Sequence, residues 1–189
     1  MKIGTHNCMS FMQPKHWWMY PFRFIAKCQS KTLKEQYNLG SRMFDVRIAF
    51  TKGGTPEFRH GSMAYKGDVL DTFRELNSLG KNLKIRMILE NTKYSRRLEE
   101  QEFYYRQLCW YLENIYPNLK FFCGRRKGDW KLIYQFKNQD PEIVQKISSM
   151  TWKIWDDWYP WLYAHFMNKK NRAEADSKKW MLIDFIEIK

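Results

Sequence analysis

No apolar run in this sequence reaches the ~18 residues that a membrane-spanning helix needs, so no such span is expected in it. The four cysteines, Cys8, Cys28, Cys109 and Cys123, make no Cys-x-x-Cys pair and no metal-ligand spacing. Scattered in this way they read as free, buried thiols rather than disulfides. Internal repeats and low-complexity tracts are absent. Acids are scarce: 20 Asp and Glu stand against 33 Lys and Arg, for a net charge of +13. That balance favours an anionic partner, whether a lipid surface, nucleic acid or a phosphorylated small molecule. Only Met1 and Lys2 precede the first apolar stretch, so no signal peptide is expected in the chain as given, and a cytoplasmic or peripheral-membrane location is expected.

What the sequence has in excess is aromatic side chains, 17% of residues with nine Trp. Trp and Tyr suit a lipid interface, since one end is apolar and the other forms hydrogen bonds. The segment Phe11 to Ile25 concentrates them: Trp17, Trp18, Tyr20, Phe22 and Phe24 alternate with Lys15, His16 and Arg23. An aromatic run usually packs inward, but two adjacent Trp in a Pro-bounded basic loop cannot both do so, which puts at least one at a rim.

The chemistry centres on Gly40 to Gly61. Met43 to Phe50 and Glu57 to His60 flank a Gly-Gly turn and read as two strands. Asp45 and Arg47 are two apart, so both project to one face of the first strand. A carboxylate and a guanidinium there are costly to bury unless paired or used. His60 ends the second strand, and Gly4-Thr5-His6-Asn7 places another histidine at the end of the first strand of the chain, Lys2 to His6. Histidine can act as base and acid near neutral pH, and Arg can hold a phosphoryl group in a bidentate fork. Together they suit phosphate-ester chemistry.

Gly4-Thr5-His6-Asn7, then Gln29-Ser30 and Glu35-Gln36 leading to Gly40 through Arg47, then His60-Gly61, resembles the catalytic half of the phosphatidylinositol-specific phospholipase C family, nearest its bacterial members. The resemblance covers residues 3 to 91 and returns at Met181 to Phe185. It implies an α/β fold, a TIM-type (β/α) barrel of the PLC-like phosphodiesterase type. At 189 residues the chain is short of the roughly 250 of a full barrel, so a small, trimmed or incomplete barrel is expected, as one domain over 1–189 and a monomer. The bacterial members are often secreted, which keeps secretion open.

Along the chain, Ser30 is expected to cap a short helix through Tyr37 and Leu39 that Gly40 stops. Asp68 caps a helix with Val69, Leu70, Phe73 and Leu76 on one stripe, ended by Gly80. Leu83 to Leu89 reads as a buried strand delivering Glu90 and Asn91 to its carboxyl end, where barrel active sites are built. Arg96 to Tyr116 is the longest helix. Leu119 to Cys123 and Lys131 to Phe136 read as strands joined by the basic turn Gly124 to Gly128, and Asp140-Pro141 as the opening of a helix. Trp152 to Phe166 is expected to form a packed lid or a second cleft wall, Lys169 to Lys179 an exposed loop, and Trp180 to Ile188 a last strand interrupted by Asp184.

The resemblance implies that His6 is the general base on an inositol 2-hydroxyl, that His60 protonates the departing diacylglycerol oxygen, and that Arg47 stabilises charge on phosphorus. Asp184 would orient His6, and Asp45 would complete the network at Arg47. Asn7, Glu90, Trp17 and Trp18 are the substrate-binding candidates. Asn7 departs from the bacterial pattern, which often has an aspartate there supporting the acid. No cofactor is implied. The alternative is Ca²⁺ held by Asn7, Asp45 and Glu90, as in the eukaryotic branch, if Arg47 swings away. The implied partner is an anionic, phosphatidylinositol-like phospholipid at a membrane surface, with no obligatory nucleic acid. A non-catalytic binder of phosphoinositide surfaces or single-stranded nucleic acid also fits the composition, but such a binder has no need of two histidines at separate strand ends. Glycerophosphodiesterases and sphingomyelinase-D-like proteins share the barrel yet need a Glu-x-Asp pair where this chain has Asp45-x-Arg47.

Overall fold

The computed structural model describes residues 2–90, 97–148, 160–174 and 178–189. Six parallel strands, β1 (Lys2–Thr5), β2 (Met43–Phe50), β5 (Lys84–Leu89), β6 (Lys120–Arg126), β7 (Ile143–Lys146) and β8 (Trp180–Ile183), run in the spatial order β7, β8, β1, β2, β5, β6. The sheet curls into part of a barrel; among the described residues its end strands β6 and β7 do not pair with each other. A hairpin of β3 (Pro56–His60) and β4 (Met63–Ala64) folds back antiparallel on the carboxyl half of β2. The expected trimmed α/β barrel is therefore the observed architecture.

Every residue of β2 is buried because both its faces are covered. Phe44, Val46, Ile48 and Phe50 point outward into a core shared with α3 (Val69–Leu79) and α4 (Leu98–Ile115). The alternate residues Met43, Asp45 and Arg47 face the barrel interior. There Met43, Ile88, Phe122 and Leu182 form an apolar plug. The carboxyl half of the interior is left for polar groups.

The local signals behave as their physics requires at most helix ends. Asp68 accepts from the Asp71 backbone N–H at 2.8 Å and caps α3. Four expectations are corrected. The short helix α2 (Leu33–Asn38) is capped by Thr32 in a reciprocal box with Glu35, not by Ser30, whose hydroxyl bonds Glu187. β6 continues through Gly124 to Arg126 by means of a bulge, with Cys123 and Gly124 at φ of 77° and 60°, and Lys131 to Phe136 is no strand but touches it through one Arg125–Leu132 bridge. Asp140 opens no helix: its carboxylate takes the Cys123 N–H at 2.9 Å, and the following residues become β7.

The fourth correction concerns the carboxyl end. Pro160–Ala173 is a helix, α5, so Lys169 to Ala173 is not loop. Asn168 and Asn171 are buried, and Asn168 donates to the Asp184 and Phe185 carbonyls. Residues 152–159 of the Trp-rich segment, and Asn91, lie outside the described residues. β8 stops at Ile183, which leaves Asp184 just beyond its carboxyl end. No described helix is long and apolar enough to cross a membrane, and all four cysteines are free and buried.

β1 is held between β2 and β8 by Gly4, where a Cβ would lie 2.7 Å from Met43 Cβ and 2.8 Å from Leu182 Cδ2. Gly4→Ala should overpack the plug and lower stability by about 1–3 kcal/mol, read as a lower urea midpoint. An unchanged midpoint would mean the strands can part to admit a methyl group.

Candidate active site

His6, Arg47, Glu90 and Asp184 all lie at the carboxyl ends of parallel strands, brought level by register: Arg47 sits opposite Ile88, and Thr5 opposite Ile183. Arg47 is buried and binds three groups. Its Nε donates to Asp45 Oδ2 at 3.0 Å, its Nη1 to Glu90 Oε2 at 3.4 Å and its Nη2 to His6 Nε2 at 2.7 Å. A guanidinium only donates, so Nε2 of His6 is the accepting nitrogen and Nδ1 carries the proton. Nδ1 meets Asp184 Oδ1 at 2.7 Å, and the other oxygen of Asp184 takes the Ser148 N–H at 3.0 Å. His6 is thus a neutral imidazole, oriented by a carboxylate, with its lone pair toward Arg47.

His60 stands opposite, its ring centroid 5.8 Å from that of His6 with the rings near perpendicular. Its Nδ1 donates to the Ala26 carbonyl at 3.0 Å, which leaves Nε2 as the nitrogen with a free lone pair. Burial, followed by the charge of Arg47, pushes the His60 pKa well below the ordinary imidazole value. No carboxylate is bonded to His60 among the described residues. Burial opposes the charge of Asp45 too, but Arg47 and Arg86 outweigh it and hold that carboxyl below the ordinary range. Arg47 is raised in return despite its own burial, chiefly by Asp45 and Glu90.

A cleft of about 560 Å³ opens over these groups, lined by His6, Cys28, Arg47, His60, Lys127 and Asp184 below and by Phe22, Trp130 and Pro160 at its sides. Asn7 and Glu90 do not line it. Asn7 is buried with φ of 40°, its backbone N–H on Asp45 and its side-chain Nδ2 without a partner. Glu90 holds Arg47, Lys127 and the Gly61 N–H, the last at 2.7 Å. Trp17 and Trp18 are 83% and 53% exposed, outside the cleft, on the turn leading to Phe22. The oxygens of Asp45 and Glu90 converge on Arg47, so the donor set considered for Ca²⁺ does not fit that ion with the guanidinium between its carboxylates.

No family model matches the sequence, and no curated protein matches it either. Solved structures do. The phosphatidylinositol-specific phospholipase C of Listeria monocytogenes superposes with a TM-score of 0.61 at 16% identity, over 97% of this chain and 87% of that one. A double mutant of the Staphylococcus aureus enzyme gives 0.60 at 14%, over 97% and 84%. The chain has the fold of the bacterial phosphatidylinositol-specific phospholipases C. A further S. aureus structure, concerned with modulation of that enzyme's membrane binding, aligns at 0.55 and 15% over 97% and 85%.

Sequence reasoning missed three residues at this site. Arg86 donates to Asp45 at 3.4 Å and lies over the Trp130 ring; a lone Arg in the apolar run Leu83 to Leu89 was its available signal. Lys127, read only as part of a basic turn, reaches Glu90. Cys28 carried no signal beyond being a thiol, and it lies against His60 at 3.8 Å.

Keeping His60 neutral stabilises the fold fully above its unfolded pKa of about 6.5, and that stability is lost as pH falls toward the depressed folded value. Between about pH 6.5 and pH 5, wild-type stability should drop more steeply than that of His60→Gln, by up to about 1.4 kcal/mol per pH unit. Parallel slopes in urea titrations would show that His60 is not held neutral.

Proposed function

We propose that this chain is a metal-independent phospholipase C acting on a phosphatidylinositol-type phosphodiester at a lipid surface. The observation that carries the reading is the chain Asp184–His6–Arg47 on one side of a cleft with His60 across from it. His6 Nε2 takes the proton of the inositol 2-hydroxyl, and Asp184 steadies the imidazolium that forms. The freed oxygen attacks phosphorus within the same molecule, while His60 gives a proton to the departing diacylglycerol oxygen. A cyclic inositol phosphate is the product. Arg47 turns Nη2 from His6 to a phosphoryl oxygen, where its fixed charge stands in for a metal ion.

His60 must carry a proton to serve as the acid, and the apo site disfavours it. The anionic phosphodiester supplies the missing negative charge, so acid and substrate are loaded together. Because kcat/KM reports the free enzyme, it should already be falling as pH rises toward neutrality, from the depressed His60 value upward. For the surface, support comes from the net charge of +13, from exposed Trp17, Trp18, Tyr20 and Phe24, and from Phe22, which is both exposed and part of the cleft wall. Aromatic tips of this kind sit well at the headgroup level.

Phosphatidylinositol vesicles incubated with the protein should release cyclic inositol phosphate equally with and without a calcium chelator. His6→Ala should lower kcat/KM by at least about 100-fold. Vesicle binding without turnover in the wild type would favour the non-catalytic reading, and silencing by the chelator would overturn the fixed-charge role of Arg47. Replacing Trp17 and Trp18 together by Ala should weaken vesicle binding more than hydrolysis of a soluble substrate; equal losses would assign the pair to packing.

A further inference from the structure

We infer that the cleft also holds a zinc-type divalent cation between His6, Cys28 and His60. One nitrogen of each imidazole and the Cys28 sulfur lie within 4.8 Å of one another, and Cys28 Sγ is 3.8 Å from His60 Nδ1. Zinc bonds of about 2.0–2.1 Å to nitrogen and 2.3 Å to sulfur put donors in a tetrahedral shell roughly 3.5 Å apart. The donors, at most 4.8 Å apart, therefore need to close by up to about 1.3 Å. They come from three separate elements: His6 from the end of β1, His60 from the end of β3, and Cys28 from the loop after the short helix Arg23–Ala26. This is why no metal motif is visible in the sequence spacing.

The surroundings meet the other requirements of such a site. Asp184 fixes the His6 ring and the Ala26 carbonyl fixes that of His60, the kind of outer partner that ligating histidines ordinarily have. Arg47 Nη2, which donates to His6 Nε2 at 2.7 Å, has to turn away for the metal to take that nitrogen, and Asp45 and Glu90 already offset its charge. Cys28 releases its thiol proton to solvent as the metal–sulfur bond forms. The thiolate and the Asp184 carboxylate then balance the two charges of the cation. Nitrogen and sulfur donors select zinc over Ca²⁺ or Mg²⁺, which require oxygen. Three protein donors leave the fourth position to a water from the cleft.

A bound cation would engage both imidazoles that the proposed reaction uses for proton transfer, so zinc should inhibit phosphodiester cleavage reversibly. That consequence rests on the reading of the site as a phospholipase; the binding itself does not. The remaining histidines, His16 and His165, stack on Trp18 and Trp161 at the surface, and His16,His165→Gln serves as the background for the test.

Zn²⁺ titration against a competing chromophoric chelator should give one ion per chain. Cys28→Ser and Cys28→Ala should each weaken it by more than about 100-fold, beyond the loss expected from an outer-shell partner. Co²⁺ in place of zinc should show tetrahedral d–d bands and a sulfur-to-cobalt charge-transfer band that both variants lose while keeping the wild-type circular dichroism. Absence of one-to-one binding by the wild type, or unchanged binding and spectra in both Cys28 variants, would overturn the assignment. If the protein cleaves phosphatidylinositol, the ratio of rates with and without zinc should return toward one in Cys28→Ser. If it cleaves nothing, the titration and the cobalt spectrum still decide the site.

Discussion

A guanidinium buried at 5% exposure governs the layout of this molecule. Arg47 cannot remain charged in the barrel interior without counter-charges in hydrogen-bonding reach. It finds two, Asp45 on its own strand and Glu90 past the end of β5, and a neutral acceptor in the His6 ring past the end of β1. Glu90 in turn holds the Gly61 N–H and so ties down the hairpin that carries His60. Asp184 holds His6 from the far side and anchors the end of β8. Removing one partner of such a buried pair typically costs about 3–5 kcal/mol, so the polar groups of the cleft also align the strand ends.

The incomplete barrel suits this arrangement. An apolar plug of Met43, Ile88, Phe122 and Leu182 packs in the interior beside the polar groups. Low exposure there strengthens each electrostatic contact. The cleft lining combines apolar Phe22 and Pro160 with cationic Lys127.

The two histidines are treated differently by the fold. Among the described residues His6 has a carboxylate behind it, whereas His60 has a carbonyl and a thiol. Asn7 supplies no charge that would change this, since it is turned into the core with its amide nitrogen unpartnered.

Much of this was legible in the chain because it depends on near neighbours. Two-residue alternation sent Asp45 and Arg47 to the interior face and Val46 and Ile48 outward; Asp68 capped its helix; scattered cysteines stayed free. Where two local signals competed, sequence reading erred: Thr32 outbid Ser30 for the cap because Glu35 could reciprocate, and Asp140 was drawn from helix-capping to the Cys123 N–H by a bulge. Sequence alone thus determined the strand faces, the histidines at strand ends and the demand for counter-charge at Arg47, since each follows from periodicity and desolvation. Only the tertiary structure decided that Arg86 meets Asp45, that Glu90 is shared between Arg47 and Lys127, and that Cys28 stands beside His60. Those pairings are set by strand register and by how a hairpin folds over an open barrel, which no spacing along the chain encodes.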